Sequence, residues 1–376
     1  MTGVNIEHSE SSARRCACCA SPALAESDLC AACLGELDAA PAAPAEPQPE
    51  AEPEQVEFTP ELVNLESVSG ALFEENGFTR VDWKCVHEHL VANLPQEDHA
   101  VGWSEAECHW LHLLQGDLGG SYRVLASRNF LLLSDFPLSR RRAVLEFCER
   151  AWSFINARLP GVLMLAPGAK TPVIVLSEQD DYLAYTAYFC PDGVTAASAG
   201  MCINSGSVHV VSTGRESHVL QHILAHELAH AAVPHLGLPA WLNEGLAMTS
   251  EREAVGFNEP LVDAEKTRRH REFWTPERMQ SFWAGTSFTE PGDAQELSYN
   301  LAEVLVQLAG TDGQTFPAFV TSARFEDAGQ TAAFDHLGVC LGDLISQFLG
   351  PSDWRPNRKS LTELLRKEQE RYAEPK

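Results

Sequence analysis

The sequence predicts an α+β fold, and three observations carry that expectation. Short β-type runs gather in the middle of the chain, at 122–125, 129–134, 172–176 and 208–212. From 244 to about 349 the apolar spacing is mainly helical. Strands and helices therefore fall in blocks, which favours a small mixed or antiparallel sheet joined to a helical half. The chain has 376 residues, 44 % of them hydrophobic, enough for one large or two modest domains.

Residues 1–12 read as a polar, disordered tail. Residues 13–36 hold Cys16, Cys19, Cys30 and Cys33, a Cys-x2-Cys-x10-Cys-x2-Cys pattern. Each Cys-x2-Cys pair can offer two thiolates from one tight knuckle, and four thiolates complete a tetrahedral structural zinc. Cys18 lies within the first knuckle and competes with Cys19; the x2 spacing favours Cys19. A disulfide framework is the other use of four thiols, but Met1 to Arg15 lacks the apolar segment of a signal peptide. The pattern resembles the short zinc ribbons found at the ends of many bacterial proteins. So short a ribbon buries no core of its own and depends on its metal. Residues 37–60 follow as an Ala/Pro/Glu linker with prolines at 41, 44, 47, 49, 53 and 60, a composition that stays extended and solvated.

Residues 61–119 read as a helical accessory segment, with helices near 82–94 and 104–116. Its Trp83, Trp103 and Trp110 are expected in a core rather than at a ligand. The strands above open a domain spanning 120–350, interrupted by a helix at 138–158. The edge strand nearest the functional motif is 199–204 or 207–212. Residues 351–376 end the chain with a mixed-charge helix, a solvated face or a docking element.

The chemistry concentrates at His-Glu-Leu-Ala-His, residues 226–230. Val219, Leu220, Ile223, Leu224 and Leu228 give helical periodicity through it, and Pro234 closes the helix. On that helix His226 and His230 leave the same face one turn apart. Glu227 is rotated about 100° away, placed to reach water at a metal without ligating the metal. A second helix is expected from Pro239, in the run Pro-Ala-Trp-Leu-Asn-Glu-Gly-Leu-Ala, which returns Glu244 to the histidines as a third ligand. Three protein ligands leave a coordination position open, as catalytic rather than structural zinc requires. His218 and His222 read as a partly exposed stripe on the same helix. His235 fails the metzincin spacing, because Val233 and Leu236 occupy that motif's glycine and histidine positions.

These two segments resemble the gluzincin metallopeptidases, the class that holds thermolysin-like and aminopeptidase-N-like enzymes. The thirteen residues between His230 and Glu244 are closest to compact bacterial peptidase-MA-like proteins, in which a Leu-Pro-x-Trp-Leu-x-Glu-Gly-x-Ala run follows the zinc helix. The motifs cover about twenty residues, with weaker similarity in pattern over roughly 120–310. The resemblance implies a thermolysin-like catalytic domain in which His226, His230 and Glu244 hold zinc. Glu227 would be the general base that takes a proton from zinc-bound water as it attacks a carbonyl. It also implies an oxyanion donor beyond the third ligand, and Tyr299 occupies that place. A tyrosine packed on its own helix's core, beside Leu297, Leu301, Val304, Leu305 and Leu308, explains Tyr299 equally well.

Two departures qualify the resemblance. Thermolysin-like enzymes carry an aspartate four residues after the glutamate ligand; here that position is Met248, so the histidine must be oriented from elsewhere. Aminopeptidase-N-like enzymes bind the substrate's amino terminus through a glutamate on a Gly-x-Met-Glu-Asn strand. The nearest stretch, Ala199-Gly200-Met201-Cys202-Ile203-Asn204, has Cys202 there, which shifts the expectation away from an aminopeptidase.

Composition sets the remaining bounds. The net charge is −26, with −10 from residues 1–62, and an acidic surface argues against nucleic-acid binding. No apolar run is long enough to span a membrane, and six cysteines scattered beyond the ribbon fit a cytoplasmic protein. The expected partners are a peptide or protein substrate and a protein that docks on the ribbon; the expected cofactors are one catalytic and one structural Zn2+. A zinc hydrolase of a non-peptide amide is the alternative enzyme. A non-catalytic regulator that binds peptide through a peptidase-like domain is the alternative from another class.

Overall fold

The computed structural model describes residues 54–55, 61–163, 168–190, 198–256 and 260–373. The tail, the cysteine ribbon with Cys16, Cys19, Cys30 and Cys33, and nearly all of the linker lie outside the described residues. In chain order the elements are β1 (Glu54–Gln55), β2 (Leu72–Glu75), β3 (Phe78–Val81), α1 (Trp83–Asn93), α2 (His99–Leu118), β4 (Arg123–Ala126) and β5 (Phe130–Ser134). There follow α3 (Leu138–Arg158), β6 (Thr171–Leu176), α4 (Gln179–Thr186), β7 (Gly200–Ser205), β8 (Ser207–Thr213), α5 (Ser217–Ala232) and α6 (Ala240–Val255). The rest is helical: α7 (Ala264–Phe273), α8 (Pro276–Ala284), α9 (Asp293–Ala309), α10 (Phe316–Ser322), α11 (Leu341–Leu349) and α12 (Arg358–Ala373), with short 3-10 and π turns between them. The class is mixed α+β.

Six strands form one sheet in the order β1-β4-β5-β6-β8-β7. Its centre, β5-β6-β8, is parallel, and β4, β1 and β7 add antiparallel edges. Every residue of β6 is buried, as a strand covered on both faces must be. Alternation sends Val173 and Val175 to one core and Ile174 and Leu176 to the other. The first core holds α3, α5 and α6 with the helical half of the chain. The second is closed by α1, α2 and α4.

Residues 61–119 are thus the cover of the sheet's second face, and the described residues belong to one compact unit. The segment also contains a hairpin, β2–β3, where the sequence reads as helical throughout. Asn76 and Gly77 both take positive φ at its turn, 55° and 77°, the two-residue geometry that matches strand twist. Trp83 and Trp110 are buried in this core, and the Trp103 indole donates to Glu107. Among the described residues β7, not β8, is the edge strand at this end of the sheet, with β1 at the other.

Candidate metal centre

The site is built from two consecutive helices and the sheet edge. α5 leaves β8 and lays Leu220, Leu224, Ala225, Leu228 and Ala229 into the first core, which turns His226 and His230 away from the sheet. Their rings lie 5.0 Å apart, edge to face. α6 begins at Ala240, one residue later than expected, with Pro239 at its N-cap. Trp241, fully buried, donates its indole N–H to the Ala328 carbonyl at 2.9 Å and anchors that helix. Glu244, one turn on, then faces the histidines.

Glu244 Oε2 lies 3.4 Å from His226 Nε2 and 3.6 Å from His230 Nε2. One ligand atom from each of the three residues falls within 4.8 Å of the others, and among the described residues no other such group of three occurs. The Oε2 atom is buried and makes no hydrogen bond, an orphan acceptor of the kind that calls for an occupant. Burial by itself disfavours charge on His226 and His230. The Glu244 carboxylate, with Glu251 and then Glu227 beside His226, outweighs it and raises both, His226 to about 10. Burial also opposes charge on Glu244, but the two imidazoles hold it down at about 2. A field that draws positive charge to one point between two imidazoles and a carboxylate suits a divalent cation, and the N2O donor set suits zinc. The three residues fit the ion.

Glu227 points to the sheet edge instead of into this triad. The Cys202 N–H donates to its Oε2 at 2.7 Å. Thr213 donates to the Ala199 carbonyl, so antiparallel alternation directs the backbone groups of Gly200, Cys202 and Asn204 away from β8, to the open side. Glu227 therefore sits on the free edge, next to backbone groups that an extended chain could pair with. The approach is close: a Cβ on Gly200 would fall 2.2 Å from Ile223 and 3.2 Å from Glu227 Cγ, so only glycine lets β7 lie against α5. Burial, and then Glu227, push the Cys202 thiol up to about 12, which keeps it neutral and a poor ligand.

Tyr299 stands over the triad on α9, its ring 6.4 Å from that of His226. It also packs edge to face on Phe288, so the core role and a site-facing position coexist. Burial, then the charges of Glu244 and Glu227, push its hydroxyl well above the ordinary tyrosine value, leaving it a neutral donor. α9 reaches the site because residue 245 is glycine; a Cβ there would lie 2.5 Å from the Ala302 carbonyl.

One residue of the site went unread in the sequence. Glu251, on α6, places Oε2 3.5 Å from His226 Nδ1 and Oε1 2.9 Å from His222 Nδ1. It supplies the orienting carboxylate that Met248 cannot. His222 is partly exposed, as expected of a stripe, but belongs to this network; His218 and His235 are exposed and stand apart from it. The signal was present as spacing: Glu251 is two turns beyond Glu244, on the same face of the helix.

No protein-family model matches this chain, and no curated protein matches it.

Proposed function

We propose that this protein is a zinc-dependent metallopeptidase, with a gluzincin-like, thermolysin-like arrangement in residues 120–350. The observation that carries the reading is the convergence of His226, His230 and Glu244 within 4.8 Å, beside a glutamate hydrogen-bonded to the open edge of the sheet. His226, His230 and Glu244 would hold the zinc; when bound, the ion polarises a carbonyl and makes water acidic enough to attack near neutral pH.

The substrate lies extended along β7, its backbone pairing with the outward Cys202 carbonyl and the outward groups of Asn204, while the Cys202 N–H stays with Glu227. Glu227 accepts the proton of the attacking water and delivers it to the leaving nitrogen. Tyr299, kept neutral, donates to the oxygen that gains charge as the carbonyl becomes tetrahedral. Glu251 holds His226 by Nδ1 so that Nε2 faces the centre. β7 carries no acidic residue, so nothing on it would capture a free amino terminus, which favours internal cleavage.

Incubation of wild type and Glu227→Gln with a diverse peptide mixture, read by mass spectrometry, tests the reading. Cleavage by wild type alone supports it. Equal cleavage by both removes Glu227 as the base, and zinc binding without cleavage by either favours a peptide-binding role.

A further inference from the structure

The carboxyl end of β5 and the start of α3 hold buried donors that the metal centre does not use. Phe130 and Leu132 face the first core, so alternation turns Ser134 to the same side. Arg123 of β4 lies opposite Ser134 in the ladder, and the two share that face. α3 begins soon after, at Leu138, and returns over the sheet. Arg141, Leu145 and Cys148 fall on its buried stripe. Arg141 is thus placed in the first turns of α3, on the side that covers Arg123 and Ser134.

The charges and donors here are not compensated. The Ser134 hydroxyl is fully buried and makes no hydrogen bond. Arg141 is 7 % exposed, and its Nε and Nη1 make none either. Burial, and then the like charge of Arg123, lower the Arg141 guanidinium below its ordinary value; a carboxylate beside it would act in the opposite sense. Asp135, next to Ser134 in sequence, is engaged elsewhere: it accepts from Ser177 Oγ and lies 3.8 Å from Arg215. Arg123 Nη1 donates to the carbonyls of Gly120 and Tyr122, which hold it without neutralising it. Among the described residues neither Arg123 nor Arg141 has a carboxylate within ion-pair distance. Pro137 gives α3 no side-chain cap, so the first amides of a 21-residue helix add their positive end to the same place. A buried guanidinium so placed costs solvation that a bound anion returns.

We propose that Arg123, Ser134 and Arg141 form, with the start of α3, a binding site for a phosphate group. Two guanidiniums, a hydroxyl and helix amides supply more donors than a carboxylate's oxygens accept, and they suit the oxygens of a phosphate. The group belongs either to free phosphate or to a small phosphate monoester. The site is separate from the metal centre and does not depend on the peptidase reading.

The test titrates the full, zinc-loaded chain with inorganic phosphate, with AMP and with chloride at equal ionic strength, read by calorimetry and by melting temperature. Phosphate or AMP should bind and raise the melting temperature where chloride does not, and the tighter probe identifies the source. Arg141→Met should weaken that binding on the order of tenfold or more. Without anion, Arg141→Met should melt no lower than wild type, because the charge it removes has no counter-charge. If it does melt lower, Arg141→Lys decides: it keeps the charge and the stem, and loss of the planar fork should still weaken binding several-fold. Absence of binding by both probes overturns the proposal. So does affinity unchanged in Arg141→Met or Arg141→Lys, which would place the anion at the zinc instead.

Discussion

Glu251 joins two histidines of one helix, with Oε2 3.5 Å from His226 Nδ1 and Oε1 2.9 Å from His222 Nδ1. A carboxylate on Nδ1 fixes the tautomer and turns Nε2 towards Glu244. Glu251→Gln is therefore expected to weaken zinc binding at this centre by about 10- to 100-fold with folding intact. Competition against a chelator of known affinity measures it. An unchanged affinity would make Glu251 a bystander.

Gly245 sets how near α9 comes to the metal centre. With 2.5 Å between its built Cβ and the Ala302 carbonyl, Gly245→Ala must push α9 outward, at a cost of about 1–3 kcal/mol. Because α9 carries Tyr299, kcat should fall along with the melting temperature. Tyr299→Phe should lower kcat and spare stability. If Gly245→Ala melts as wild type does, the helices are not in contact there.

Glu107 gives a pH prediction on the other face of the sheet. Burial pushes its carboxyl up to about 8, opposed by hydrogen bonds from Ser207 and Trp103. A buried acid with a raised pKa folds more readily protonated. Its contribution to stability is thus complete below the unfolded value near 4.5 and is lost as pH rises to about 8, at about 1.4 kcal/mol per unit. Melting curves across pH 5 to 9 should show Glu107→Gln gaining on wild type up to about pH 8. Parallel curves would contradict the assignment.

The sequence made the centre of the site legible because its ligands are local. His226 and His230 need only a helix, and Glu244 needs only the next helix to fold back. Glu251 was harder: its spacing puts it on the same helix face as Glu244, but its contact with His226 depends also on how α5 and α6 cross. The free edge was left between two stretches, and β7 was distinguished from β8 only by the pairing of β8 with β6. The β2–β3 hairpin was missed although Asn76-Gly77 marks its turn. Its first strand is largely exposed, with burial running intermediate and then outward for three residues, so the alternation that reveals strands is absent.

The measurement that bears most directly on the metal centre is zinc bound per chain, by native mass spectrometry, for wild type, His226→Ala and Glu227→Gln. Wild type and Glu227→Gln should each carry about two zincs, one of them in the Cys16, Cys19, Cys30 and Cys33 ribbon, and His226→Ala about one. Two zincs retained by His226→Ala would contradict the assignment of His226, His230 and Glu244 as a metal centre.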